Sequence, residues 1–418
     1  MKSIHLKYGK DGYILGLPDG LNITLIHPPF QKISEFPKVN YEDDQLLKNK
    51  ILDLKKNISD LSIGISINDK TRPVPYQHLL PDLLKHIHSF GIDNHQITFF
   101  IANGTHIPEE PKTQTHIPDF IKANYEIISH NCDNRTNIQY LGVTSRGTPV
   151  FINRLFMNCD IKIAVGNIEP HHFAGYSGGV KSVAIGLAGR ETILKNHKLL
   201  VTDEAKACNF LTNPLRQDIE EIGTFSSLDF CLNSIKDSEN NLIQVLWGNP
   251  SEVLNKAIPI VDSLFLTKIK HKFDVVIASA GGYPKDINLY QAQKAVTNAA
   301  KITKKSGLVV LVAECREGSG SLAYENYMKK FSSPFEIIQE YEQGKFEIGP
   351  HKALQFAFIQ TQLKVGLFSS MDTEIVKSLL LFPISNLNNY INEMFLLNKN
   401  LSVAIMTDAV ITIPKEGA

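Results

Sequence analysis

The sequence predicts an α/β protein made of two α/β domains with mainly parallel sheets. Three observations carry this reading. Short β-branched runs have the length and composition of buried strands. Between them lie stretches with apolar residues at helical spacing, the alternation that gives parallel sheets covered on both faces. The length, 418 residues, is more than one hydrophobic core usually organises.

In chain order, the first 45 residues, with YILGLPDG and HPPF, read as a small β-rich lead-in. LSIGISIND (61–69) and HQITFFIANG (95–104) read as strands, with HLLPDLLKHIHSF between them at helical spacing. DIKIAVGNI (160–168) closes this series. A second series comprises DVVIASAGG (274–282), GLVVLVAEC (307–315) and VAIMTDAVITI (403–413), interleaved with helical QAQKAVTNAAKIT and SLAYENYMKKF. LTKIKHK, around 265–273, precedes a fresh strand, so one domain is expected over 1–268 and a second over 273–418. No internal repeat or low-complexity tract interrupts the pattern.

Composition narrows the function classes. Lysine plus arginine, 43, equals aspartate plus glutamate, 43. A nucleic-acid binder or a polybasic membrane-surface protein needs a basic excess that is missing here. No apolar run approaches the roughly 18 residues that span a bilayer. The first twenty residues show no signal-peptide pattern. Cys132, Cys159, Cys208, Cys231 and Cys315 are scattered, with no CxxC pair. Free thiols in a reducing, cytoplasmic setting are expected, not a disulfide framework or a thiolate zinc site.

The informative residues follow the strands. In open α/β sheets ligands bind beyond the carboxyl ends of strands. Here ISIND leads to KTRPVP, FFIANG to THIP, IAVGN to IEPHHFAGYSGGVKS, and VIASAGG to YPKDINLYQAQK. One convergent site would account for all four clusters.

The glycine-rich loop resembles the phosphate-binding GxxxxGK[ST] pattern through Gly175, Lys181 and Ser182. Val180 replaces the glycine before the lysine, and IEPHHFA separates strand from loop. Both features argue against a nucleoside-triphosphate loop. Gly175, Ser177, Gly178 and Gly179 can still offer backbone N–H groups to an anion at a helix start. Asp69 and Arg72, directly after a strand, suit ribose hydroxyls and a phosphate or carboxylate, or staple a turn to each other. His106 ends the second strand where a general base belongs. His116, in a similar THIP string with no strand before it, reads as a decoy.

His171, His172 and His197 complete the ionisable set, and no HExxH zinc motif is present. On one straight helix Lys181 and His197 would point about 160° apart. Gly186 and Gly189 can break that helix and bring the two together. His197 would then be a single protein ligand to a metal arriving inside a larger cofactor. Tyr290, Gln291 and Lys294 share a helix face suited to a small carboxylate.

DKTRP, GTH, IEPHHFAGYSGGVKS, the histidine of KNH and GGYPKDINLYQAQKA stand in the order and spacing of the lactate racemase family, which the chain resembles from about residue 60 to its last strands. The resemblance implies a two-domain α/β fold with the active site in the interdomain cleft. It also implies a nickel-pincer nucleotide, tethered through Lys181 by a thioamide and ligated at nickel by His197. His106 and His171 match the family's two acid/base histidines. Asp69, Arg72 and the backbone from Ser177 through Gly178 to Gly179 would hold the nucleotide; Tyr290, Gln291 and Lys294 match substrate-side positions. The implied reaction inverts C2 of a small 2-hydroxy acid through a 2-keto acid, and enzymes acting in trans would build the cofactor. Two positions depart from the family pattern: Ile107 follows GTH where arginine is frequent, and Asn167 stands where histidine is frequent. Both are expected near the substrate. GPHKA (349–353) is a further candidate for the pocket lining. A P-loop-like kinase or NTPase and a non-catalytic nucleotide or carboxylate-binding module are the competing classes.

Overall fold

The structure, a computed structural model, describes residues 2–29, 37, 39, 41, 45–237, 239–343 and 351–416. Two compact units divide the chain: Gln31–Ser263, and Met1–Phe30 together with Leu264–Ala418.

The 31–263 unit is built on a six-stranded sheet in the order Leu242–Gly248, Phe230–Lys236, Ile161–Asn167, Ile63–Asn68, Ile97–Ala102, Glu126–Ser129. Only the first pair is antiparallel. Ile63–Asn68 and Ile161–Asn167 are buried along their whole length. That explains their near-continuous apolar runs, since both faces are covered. The Tyr76–His88 helix buries Tyr76, Leu79, Leu80, Leu83, Leu84 and Ile87, a stripe at helical spacing, against Ile63, Ile65, Ile67 and Phe99.

Strand order places the site. From Ile63–Asn68 the chain adds Ile97–Ala102 and Glu126–Ser129 on one side, then returns to lay Ile161–Asn167 on the other. The reversal opens a crevice at the carboxyl ends of these two central strands, where doubly wound folds bind ligands. DKTRP and the glycine loop leave from these two ends.

The second unit holds a parallel six-stranded sheet, ordered Phe382–Pro383, Lys364–Phe368, Thr303–Val312, Phe273–Ser279, Ser402–Met406, Asn22–Ile26. Its last strand departs from the expected division at 1–268 and 273–418. Residues 1–30 do not open the first domain; Asn22–Ile26 pairs in parallel with Ser402–Met406 and completes the other sheet. The Lys2–Leu6/Tyr13–Leu17 hairpin is tied into the same unit. Its Lys7 carbonyl accepts from Ser279 Oγ at 2.6 Å, and its Gly9 N–H donates to the buried Asp286 at 2.6 Å. The expected strand 403–413 also divides. A turn held by Ile411 and Thr412 N–H groups on the Asp408 carbonyl separates Ser402–Met406 from Ile413–Glu416. The latter pairs with Leu266–Ile269, so LTKI is a strand and not a linker. Among the described residues, no helix is long and apolar enough to cross a membrane.

Candidate active site

Three of the four strand-end clusters share one cavity of about 130 Å³ in the 31–263 unit. Asn68, Asp69 and Arg72 enter from the first central strand, and Asn103 to His106 from its neighbour. His171, Phe173, Ser177, Gly178, Lys181 and Ser182 come from the glycine-rich segment, and Ile193 and His197 from the Arg190–His197 helix.

Local conformation explains the glycines. Gly178 has φ +71°, and a Cβ there would lie 2.4 Å from the Ile168 side chain. Gly175 has φ +74°, and its Cβ would meet the Asn209 carbonyl at 2.1 Å. Only glycine combines left-handed backbone with such close approach. The helix expected after Lys181 is a single turn, Lys181–Ala184, so a macrodipole contributes little. The loop amides are also engaged inside the fold: Ser177 N–H donates to the Glu169 carbonyl at 2.9 Å and Gly179 N–H to Asn233 Oδ1 at 3.0 Å. Ser177 and Gly178 reach the cavity wall, whereas Gly179 does not. As expected, the chain breaks after the turn. Gly189 starts the Arg190–His197 helix, and Lys181 and His197 line the same cavity.

Electrostatics assign the protons. His106 Nδ1 is hydrogen-bonded to Asp69, whose other oxygen accepts from Thr71 Oγ1 at 2.7 Å. Burial would raise the Asp69 carboxyl, but the bonds from His106 and Thr71 and the Arg72 charge outweigh it and hold it below its ordinary value. Asp69 is therefore an orienting partner of His106, a role the sequence did not suggest. With Nδ1–H given to Asp69, neutral His106 leaves Nε2 bare as a proton acceptor.

His171 is held differently. Its Nδ1 accepts from the Ala174 N–H at 3.2 Å, and its Nε2 lies 3.3 Å from the Arg72 guanidinium, which can only donate, so both contacts favour a ring without added charge. Burial, then the surrounding basic groups Lys181, His172, Arg72 and His197, push the His171 pKa well below the usual imidazole value. Burial, then Arg72 and Arg216, likewise hold the Lys181 ammonium well below the lysine range. The shift favours the amine over the ammonium, and only the amine is a nucleophile.

His197 stands edge-on to Phe173, ring centroids 5.3 Å apart. Among the described residues no group of three or more His, Cys, Asp or Glu could hold a metal ion. A metal here would have to bring most of its own ligands, which fits one protein imidazole and a neutral amine as attachment points for a metal-bearing group. His116 bonds the Asn68 carbonyl at 3.2 Å and is structural. Asn167 is 2% exposed and does not line the cavity; its carbonyl takes the Ser177 hydroxyl at 2.9 Å. Its expected place near the substrate is thereby corrected, because the strand end is roofed by the glycine loop. Tyr290, Gln291 and Lys294 belong to the other unit. There the expected single helix is broken at Gln293, and Lys294 Nζ donates to Gln291 at 3.3 Å. Most of GPHKA, including the His351 and Lys352 side chains, lies outside the described residues.

Arg216 escaped the sequence reading. It is fully buried, donating to the Tyr176 carbonyl at 2.7 Å and pairing with Glu220 at 2.6 Å. Asn213, one turn earlier, caps the same helix and holds the Phe173 carbonyl at 2.9 Å. The Asn-Pro helix start was a usable signal.

Buried neutral histidines make stability depend on pH. His130 bonds the Ala188 carbonyl at 2.9 Å, and burial lowers its pKa to about 4. The unfolded chain binds this proton below ~6.5 and the folded chain does not, so stability is complete above ~6.5 and declines toward pH 4. The expected loss from His130 alone is roughly 3 kcal/mol. Urea midpoints measured from pH 7.5 to 4.5 should fall steadily, and a flat profile would contradict this account.

A cavity at a topological switch point, joining an oriented imidazole, a buried imidazole and a desolvated amine, defines an α/β enzyme site. The chain belongs to the lactate racemase family: residues 8–209 match the model of the lactate racemase N-terminal domain and residues 268–413 that of the C-terminal domain. A lactate racemase from Thermoanaerobacterium thermosaccharolyticum is 28% identical over the full length of both chains. One from Lactiplantibacillus plantarum is 29% identical over 67% of this chain and 66% of its own. The structure of the lactate racemase apoprotein from T. thermosaccharolyticum superposes with a TM-score of 0.85 at 27% identity, covering 99% of this chain and 100% of that one. A Thermotoga maritima protein at 15% identity shares the fold, with a TM-score of 0.62 over 89% of this chain and 97% of its own.

Proposed function

We propose that this protein is a racemase or epimerase that inverts C2 of a 2-hydroxy acid. The observation that carries the reading is two imidazoles on one cavity, His106 oriented by Asp69 and the buried His171, beside Lys181. Inversion needs proton handling from two faces, and two imidazoles that can each accept a proton and give it back supply it.

Lys181 would anchor a nickel-pincer nucleotide through its amine, and His197 would ligate the nickel. Arg72 would hold the nucleotide portion, with Ser177 and Gly178 forming the cavity wall beside it. Bound there, such a group supplies reversible acceptance of hydride from C2, so that no net oxidation occurs. The chain's own residues manage the protons and the orientation. His106 Nε2 accepts the C2 hydroxyl proton of one enantiomer, while Asp69 fixes the ring and stabilises its charge. His171 would serve the other enantiomer in the same way, accepting its C2 hydroxyl proton and giving that proton back to the oxygen as hydride returns to C2. Arg72 is the cation available to the substrate carboxylate or a phosphate. Tyr290, Gln291 and Lys294 remain candidates for the substrate side.

His106→Asn and His171→Asn are each expected to lower racemisation about 10²- to 10⁴-fold. Nickel content and cofactor mass should match the parent. Polarimetry with metal analysis on the loaded protein tests this, and a variant that racemises at the parental rate would remove that histidine from the mechanism. A nucleotide-binding module would instead keep its ligand affinity and have no racemisation to lose.

A further inference from the structure

A second cavity, of about 390 Å³, adjoins the first and shares Asp69, Asn103, Thr105 and His106 with it. Beyond His106 its walls are Thr71, Ile107 and Gln114, with Lys70 and Glu109. On the proposed racemase reading, His106 handles the oxygen on C2, so whatever is attached at C3 must leave the reacting carbon close to this histidine.

The lining sets the chemistry of the occupant. Lys70 and Glu109 pair with each other and the remaining charged group, Asp69, is a carboxylate, so the cavity offers no spare cation. Several of its polar donors are already committed. Asn103 Nδ2 donates to the His130 carbonyl at 2.7 Å and to Ser129 Oγ at 3.0 Å. Gln114 Nε2 donates to the Glu109 carbonyl at 3.3 Å, and Thr71 Oγ1 donates to Asp69. What remains facing the space is largely hydrocarbon. Ile107 is 87% exposed, a large apolar side chain standing in the open at this wall. An isolated exposed isoleucine needs no explanation, but one beside a catalytic histidine in a cavity without a spare cation gains from an apolar ligand.

We infer that this cavity is a substrate subsite that takes an uncharged, branched or aromatic C3 substituent, with Ile107 as its specificity-determining residue. The natural substrate is then a 2-hydroxy acid larger than lactate. It carries no second carboxylate, because Lys70 is already paired with Glu109.

The test uses the cofactor-loaded enzyme with 2-hydroxy-4-methylpentanoate, lactate and malate, comparing kcat/KM. Each methylene seated in an apolar pocket is worth about 10-fold or more, so the branched acid should exceed lactate by at least about tenfold. Ile107→Arg, which fills the space with a charged chain, should lower that ratio about fivefold or more, judged against the tenfold value per methylene. A folding-independent check is calorimetric binding of 4-methyl-2-oxopentanoate against pyruvate, whose affinity ratio should fall in the same variant. The inference is overturned if lactate or malate is preferred. It is also overturned if Ile107→Arg leaves both ratios unchanged, or changes nickel content in place of selectivity. If loaded enzyme racemises none of the three acids, the racemase reading itself fails, an outcome distinct from a mere preference for lactate.

Discussion

Lys181→Ala is expected to give a folded protein that takes no covalent mass increment and has no racemase activity. The parent, matured in a host that makes the cofactor, should carry that increment with about one nickel per chain. The physical reason is the state of the amine. An ordinary lysine at pH 7 is an ammonium and cannot attack a carbon centre. Burial and the nearby Arg72 and Arg216 charges shift this one toward the amine. Desolvating an amine costs stability, so alanine should also leave the fold as stable as the parent or more so. Lys181→Arg separates charge from nucleophilicity, because a guanidinium stays protonated in proteins. It too should remain unmodified. Intact-mass spectrometry of purified protein decides the matter: an increment surviving in Lys181→Ala means attachment elsewhere, and full activity without one means the lysine has other work.

The second large effect is expected at Arg216. Its guanidinium is fully buried, and removing it would strand Glu220 and unpair the Tyr176 carbonyl on the segment leading to Gly178. Breaking a buried pair by deleting one partner typically costs about 3–5 kcal/mol. Arg216→Ala should lose stability of that order, read from urea unfolding. Arg216→Lys should recover little of it, since an ammonium cannot reproduce the fork. Losing the positive charge in Arg216→Ala should move the Lys181 pKa upward, so the amine becomes reactive toward an acylating reagent only at higher pH, whereas Arg216→Lys, which keeps the charge, should not shift it in that way. A loss below about 1 kcal/mol in Arg216→Ala, the scale of an exposed pair, would show that the guanidinium is not the brace described.

Local signals made much of this architecture legible. Ile63, Ile65 and Ile67, alternating along the chain, announced a strand with an apolar face, and the polar clusters after the strands marked the ligand edge. His106, His171, Lys181 and His197 were named from sequence and lie on one cavity, because strand ends and glycine breaks are short-range features. The orienting role of Asp69 was not legible. It depends on which strand lies beside Ile63–Asn68, and adjacency is not written in either strand alone. Arg216 was missed for a related reason: charged residues are read as exposed by default, and burial depends on partners from distant segments. The lead-in was misplaced because Asn22–Ile26 shows strand character without naming its partner. The helix through Lys181 was overestimated, since the close approach of Gly186 to Ala102, whose side chain a Cβ at 186 would meet at 2.6 Å, is a tertiary fact.

The edge strand Asn22–Ile26 carries a consequence for biosynthesis. Its hydrogen-bonding partner is translated some 380 residues later, with Asn22 opposite Ser402. At ribosomal speeds of about 5–20 residues per second, the nascent amino-terminal segment waits roughly 20–75 seconds before its sheet can close. The 31–263 unit has all of its strands well before then. Deleting or fusing onto the first thirty residues should therefore injure the maturation of the last half of the polypeptide more than that of the segment immediately following.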